Sequence, residues 1–218
     1  MLLELSEILA CPVCGPPQIM VAVVHESESH RVTTGFLACP ACDSRFEIIA
    51  GVVHFSPAGG TAGPEAMARA PGGPLPDDSA TLIAAVLELQ RGSGYVLLGP
   101  GLEGLAHAVA ALAERWEVVS LGHRAAEGTE DLASLSRLIT GDSKPLPLLP
   151  GRFDAAAMHG DVGADEIRRV AAVLRQAGRL AIVSPGPTAL EDLREAGLGV
   201  LAADARVIVA ARQPGPAS

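Results

Sequence analysis

The chain has 218 residues, room for one ordinary domain plus a small one. It is 49% apolar but only 3% aromatic, and its 25 acidic against 16 basic side chains give a formal net charge of -9, which argues against a nonspecific grip on nucleic acid. No apolar run reaches the roughly 20 residues that cross a bilayer, and Met1 to Ala10 lacks the basic start and cleavage site of a secretory signal, so the expected location is the cytoplasm with no membrane attachment.

Leu2, Leu3, Leu5, Ile8 and Leu9 predict a short apolar helical face running into the first cysteine. Cys11-Pro-Val-Cys14 is followed by Gly15, and 24 residues separate Cys14 from the second pair, Cys39-Pro-Ala-Cys42. Each pair offers two thiolates from one tight turn, and four sulfurs complete a tetrahedral Zn2+ shell with no open position, so the metal is expected to be structural. In a reducing compartment this reading outweighs buried or redox-active cysteines, and iron is the alternative metal. His25, His30 and His54 lie outside a shell the cysteines already fill. Strands are expected at Gln18–His25, Arg31–Ala38 and Arg45–Ala50. Arg31 and Arg45 face Glu4, Glu7, Glu26, Glu28, Asp43 and Glu47, so this unit, residues 1–57, is itself acidic.

Residues 58–79 are dominated by Gly, Pro and Ala and read as a linker. From about residue 80 to 218, helix and strand patterns alternate, which predicts an α/β domain with a mainly parallel, Rossmann-like sheet and helices on both faces. Helices are expected near 80–91, 102–115, 129–139, 164–177 and 188–196. Strands are expected near 95–98, 117–121, 153–158, 179–184 and 206–211, with a weaker one near 198–202. Gly99-Pro-Gly101-Leu-Glu-Gly104 stands between a strand and a helix, where a glycine turn lets a nucleotide approach the backbone. Its spacing also suits NAD, although the acid expected after the second strand is missing for that ligand too.

Leu3 to Cys14, Leu37 to Cys42 and Phe46 to Val53 resemble the zinc-ribbon activators of tRNA, ribosomal and protein methyltransferases. That resemblance implies a ribbon that binds a methyltransferase partner by adding a strand to its sheet and covering apolar surface, here in cis or within a homodimer. A separate protein partner is also expected. Gly141 to Asp154, Val173 to Val183, and Glu195 to Ala210 are similar to segments of class I S-adenosylmethionine-dependent methyltransferases, the last as a closing antiparallel hairpin.

The resemblance implies that Gly99 and Gly101 line the methionine end of S-adenosylmethionine and that Asp142 accepts from the adenine amino group. Two carboxylates that the family pattern requires are absent: Leu97 stands on the first strand and Gly122 after the second, and neither can accept from ribose hydroxyls. Glu103 replaces the third glycine unless Gly104 serves, and His123 or Glu127 are the nearest substitutes for the ribose acid. Asp142 also reads as a turn cap, Asp154 as structural, and His159 with Asp161 as turn residues placed where a general base could sit. The expected function is therefore a methyltransferase-like protein with a degenerate cofactor site, acting as a noncatalytic scaffold or regulatory partner. The alternative is an active methyltransferase on a small molecule or partner protein.

Overall fold

In the computed structural model, residues 1–55, 75–99, 101–122, 134–140, 146–160 and 162–213 are described. The chain opens with a 3-10 helix, Leu3–Ile8, and a four-stranded antiparallel meander: β1 Val21–Glu28, β2 Arg31–Ala38, β3 Arg45–Ile49 and β4 Val52–His54. The remainder runs α1 Ser79–Val86, β5 Gly94–Leu98, α2 Ala106–Leu112, β6 Trp116–Gly122, β7 Leu135–Ile139, β8 Phe153–His159, α3 Ala164–Val173, β9 Leu174–Val183, α4 Ala189–Glu195, β10 Leu198–Ala203 and β11 Val207–Arg212. No helix among the described residues is long and apolar enough to cross a membrane.

All eleven strands form one mixed sheet in the order β1-β2-β3-β4-β7-β6-β5-β8-β9-β11-β10. From β4 to β9 every neighbouring pair is parallel; β11 and β10 run antiparallel at the far end. The ribbon thus continues the sheet of the α/β part: Val52, Val53 and His54 pair in parallel with Arg137, Leu138 and Ile139.

Both faces of the α/β sheet are buried, and residue alternation assigns side chains to each. Val96, Leu98, Val118, Ala155, Ala157, Ala181 and Val183 pack with α1 and α2. Leu97, Val119, Leu121, Ala156, Met158, Leu180 and Ile182 belong to the other core, with α3, α4 and the ribbon residues Met1, Leu5, Ile8 and Leu9. Strands that follow one another in the chain and run parallel in one sheet, such as β7 and β8, are usually joined by a crossover helix that covers the sheet. The described part of their connection, 146–152, has none. The ribbon lies along it instead: Leu149 N–H donates to the Ile8 carbonyl at 2.8 Å, Ala10 N–H donates to the Pro147 carbonyl at 3.0 Å, and Leu9 bridges Leu148.

The sequence reading needs correcting at three places. The helix expected over 129–139 is a strand at Leu135–Ile139, because its run of buried residues fills both faces and carries no alternation to separate strand from helix. The helix expected over 164–177 stops at Val173, where β9 begins ahead of the expected 179. The first helical face is a 3-10 helix with Leu5 and Ile8 buried and Leu3 exposed. Most of the expected linker, and Asp142, His123, Glu127 and Asp161, lie outside the described residues.

Candidate functional site

The two cysteine turns meet. Cys11 N–H donates to the Gln18 carbonyl at 2.9 Å and Gly15 N–H to the Cys11 carbonyl at 2.8 Å, which closes the first turn. Gly15 adopts a φ of +75°, in the left-handed region that a side chain disfavours. Cys39 N–H donates to the Ser44 carbonyl and Asp43 N–H to the Cys39 carbonyl, closing the second. All four Sγ atoms lie within 4.8 Å of one another. Cys11 and Cys42 are 3.7 Å apart and Cys14 and Cys39 are 3.8 Å apart. A tetrahedron with metal–sulfur arms of about 2.3 Å has edges of about 3.8 Å, so the set fits one tetrahedral ion. These separations are far beyond the roughly 2.05 Å of a disulfide, and the thiols are free.

The electrostatics prepare one ligand. Ser44, through its hydroxyl 3.1 Å from Cys42 Sγ and then its backbone N–H, lowers the Cys42 thiol to about 6. Cys14, hydrogen-bonded chiefly to Cys42, is pushed up to about 12, and burial raises Cys11. Cys42 is thus more readily a thiolate than Cys14 or Cys11. His25 instead packs edge-on against Phe36, and among the described residues only the cysteines form a metal-ligating group of three or more.

The second candidate site lies at the carboxyl ends of β5 and β8, where strand order reverses and ligands of open α/β sheets bind. Gly99 N–H donates to the Ala157 carbonyl at 2.9 Å. A Cβ on Gly101, which has a φ of +88°, would stand 3.2 Å from His159 Nδ1, so the turn is held against that imidazole. Gly101 N–H donates to the Glu103 carboxylate at 2.8 Å. Glu103 therefore occupies a backbone donor of the glycine turn with the chain's own charge. Gly104 faces open space, so no packing requires glycine there. Leu97 is fully buried, and Gly122 ends β6.

His159, only 4% exposed, ends β8 with its Nε2 lacking a hydrogen-bond partner among the described residues; burial lowers its pKa against the opposing pull of Glu103. Asp154 is structural: it accepts from Tyr95 N–H at 2.9 Å and pairs with Arg175 Nε at 2.6 Å. The Glu103 contact was not legible in the sequence, where an acid at that position reads only as a lost glycine.

No protein-family model and no curated protein matches the chain. Solved structures do. One is the 1,6-didemethyltoxoflavin-N1-methyltransferase of Burkholderia thailandensis, at 17% identity and TM-score 0.47, covering 63% of this chain and 78% of that one. An S-adenosylmethionine-dependent O-methyltransferase of Thermotoga maritima matches at 14% identity and TM-score 0.46, over 84% and 79% of the two chains. The cyclase SpnF matches at 18% identity and TM-score 0.44, over 58% of each. At these values the likeness concerns the general course of the chain and says nothing of its chemistry.

Proposed function

We propose that this chain is a zinc-binding, methyltransferase-like protein that acts as a noncatalytic scaffold or regulatory partner. In this reading Cys11, Cys14, Cys39 and Cys42 hold a structural Zn2+, which when bound fixes the two ribbon turns. The ribbon then stabilises the α/β sheet in cis, as an added strand and as a cover over the face where the described part of the β7–β8 connection has no helix.

The observation that carries the noncatalytic part is the Glu103 carboxylate on Gly101 N–H. It occupies a backbone donor of the glycine turn that would line the methionine end of S-adenosylmethionine, and neither Leu97 nor Gly122 offers a carboxylate to the ribose hydroxyls. His159 favours the second reading, an active S-adenosylmethionine-dependent methyltransferase, because a buried imidazole with a free Nε2 at the switch point suits a general base.

Isothermal titration of the zinc-loaded protein with S-adenosylmethionine and S-adenosylhomocysteine separates the two. The expected result is no binding up to millimolar ligand; micromolar binding would overturn the noncatalytic reading. Metal analysis of the purified chain is expected to give one zinc per molecule.

A further inference from the structure

A cavity of about 130 Å³ lies where the ribbon crosses the α/β sheet, lined by Leu2, Glu4, Leu5, Tyr95, Glu117, Val119 and Ser136. Tyr95, Glu117 and Ser136 are the second residues of β5, β6 and β7, three neighbouring parallel strands, so the cavity sits at the sheet's amino-terminal edge. Gly99 and His159 stand at the opposite edge; four residues of strand put Gly99 about 13 Å from Tyr95. The cavity is therefore separate from the glycine turn, and none of the cysteines lines it.

Its chemistry is one-sided. Glu117 Oε2 is enclosed and has no hydrogen-bond partner among the described residues, although an unpaired carboxylate oxygen away from water is costly. Glu4 stands at the exposed rim, and the carboxylates of Glu117, Glu7 and Glu4 all act on the Tyr95 phenol. Arg31 is the cation that acts on Glu117, and its Nη2 also donates to the Leu135 carbonyl at 2.8 Å. Ser136 Oγ accepts from Leu2 N–H at 3.3 Å, which ties the roof to the sheet. The walls are otherwise Leu2, Leu5, Val119 and the Tyr95 ring.

We propose that this cavity binds the ammonium or guanidinium head of a small organic cation, with Glu117 as its deep anchor, Glu4 as the rim charge and the apolar walls around its alkyl stem. The cavity is well below the roughly 300 Å³ of pockets for drug-sized ligands, which excludes a nucleotide and limits the ligand to a head group and a few carbons. A bare metal ion would meet mostly hydrocarbon. Roof and floor come from different parts of the chain, so the ligand stabilises the ribbon on the sheet by mass action. The inference stands apart from the noncatalytic reading and survives its failure.

Tyr95 is the chain's single tyrosine, so its ring resonances report on the cavity without ambiguity. The zinc-loaded full chain is titrated with n-propylammonium and n-propylguanidinium chloride, with sodium chloride at matched ionic strength as the reference and magnesium chloride as a competitor. The expected result is a saturable shift of the Tyr95 ring with at least one organic cation. Glu117→Gln, which keeps the shape of the side chain, is expected to weaken it at least tenfold, and Val119→Leu, which fills the cavity without changing charge, to abolish it. Glu191→Gln, on α4, is expected to leave it unchanged. A shift matched by sodium chloride, saturation by magnesium instead, or equal affinity in Glu117→Gln and Val119→Leu would each overturn the proposal.

Discussion

Val53 of the ribbon and Leu138 of β7 are register partners across a parallel junction, and at 0% and 1% exposure both are sealed from water. The junction is thus part of the core. Val53→Asp would bury a carboxylate with no partner, a change of the kind that costs more than about 3 kcal/mol. Urea unfolding followed by Trp116 fluorescence, on the far part of the chain, is expected to show an unfolding free energy lower by that amount, read as a lower midpoint. An unchanged Trp116 transition would mean that the ribbon and the α/β part unfold independently.

Removal of the metal is expected to act on the same transition. A chelator takes away the proposed ion, and the double substitution Cys39→Ser/Cys42→Ser two of its ligands; either is expected to release the ribbon turns, and with them the cover over Leu97, Val119 and Leu138. The measured outcome is loss of metal together with a lower Trp116 midpoint and new binding of a hydrophobic dye. Acid favours the loss: with the Cys42 thiol at about 6, that ligand is already a thiolate at pH 7.5 and must shed a proton at pH 5. Chelator-driven release is therefore expected to be faster and more complete at pH 5 than at pH 7.5.

Asp154 accepts from Tyr95 N–H and lies against the preceding residue, Gly94. A Cβ at Gly94, whose φ is +149°, would lie 2.0 Å from Asp154 Oδ2. Gly94→Ala is expected to cost about 1–3 kcal/mol from backbone strain, with the clash added. Asp154→Ala loses the bonds to Tyr95 N–H and Arg175 but removes the obstacle, so the double variant is expected to be more stable than the sum of the singles predicts. A double-mutant cycle in urea measures the coupling; strict additivity would show that the two positions adjust independently.

Several parts of this architecture were readable from residues alone, because they rest on local chemistry. The cysteine spacing carries the tetrahedral set, and β2, predicted at Arg31–Ala38, has those same bounds in the structure. β7 was missed because a strand buried on both faces has no period of two to detect. The pairing of β4 with β7 joins residues more than 80 apart, and no local pattern encodes a partner at that range. Glu103 and Glu117 show the same limit at the sites. One looks like a departure from a glycine turn and the other like a surface acid in a strand, and only the fold brings the first onto Gly101 N–H and the second into a cavity under Leu2.

His159 and Glu117 give the stability of this chain opposite responses to pH. Burial lowers the His159 pKa from its ordinary 6.5, so between that lowered value and 6.5 the unfolded chain binds more protons than the folded one. Its contribution is fully present above pH 6.5 and falls as the pH drops through that window, by at most about 1.4 kcal/mol per pH unit. For Glu117, burial, and then Glu4, raise the pKa above 4.5, while Arg31 opposes them. Here the folded chain holds the proton longer, so stability falls as pH rises from 4.5 through the raised value. His159→Gln is expected to flatten the acid side of a urea-midpoint profile below pH 6.5, and Glu117→Gln to lift the profile at neutral pH. Parallel profiles for the wild type and His159→Gln would mean that the imidazole titrates alike in the folded and unfolded chain, which its burial opposes.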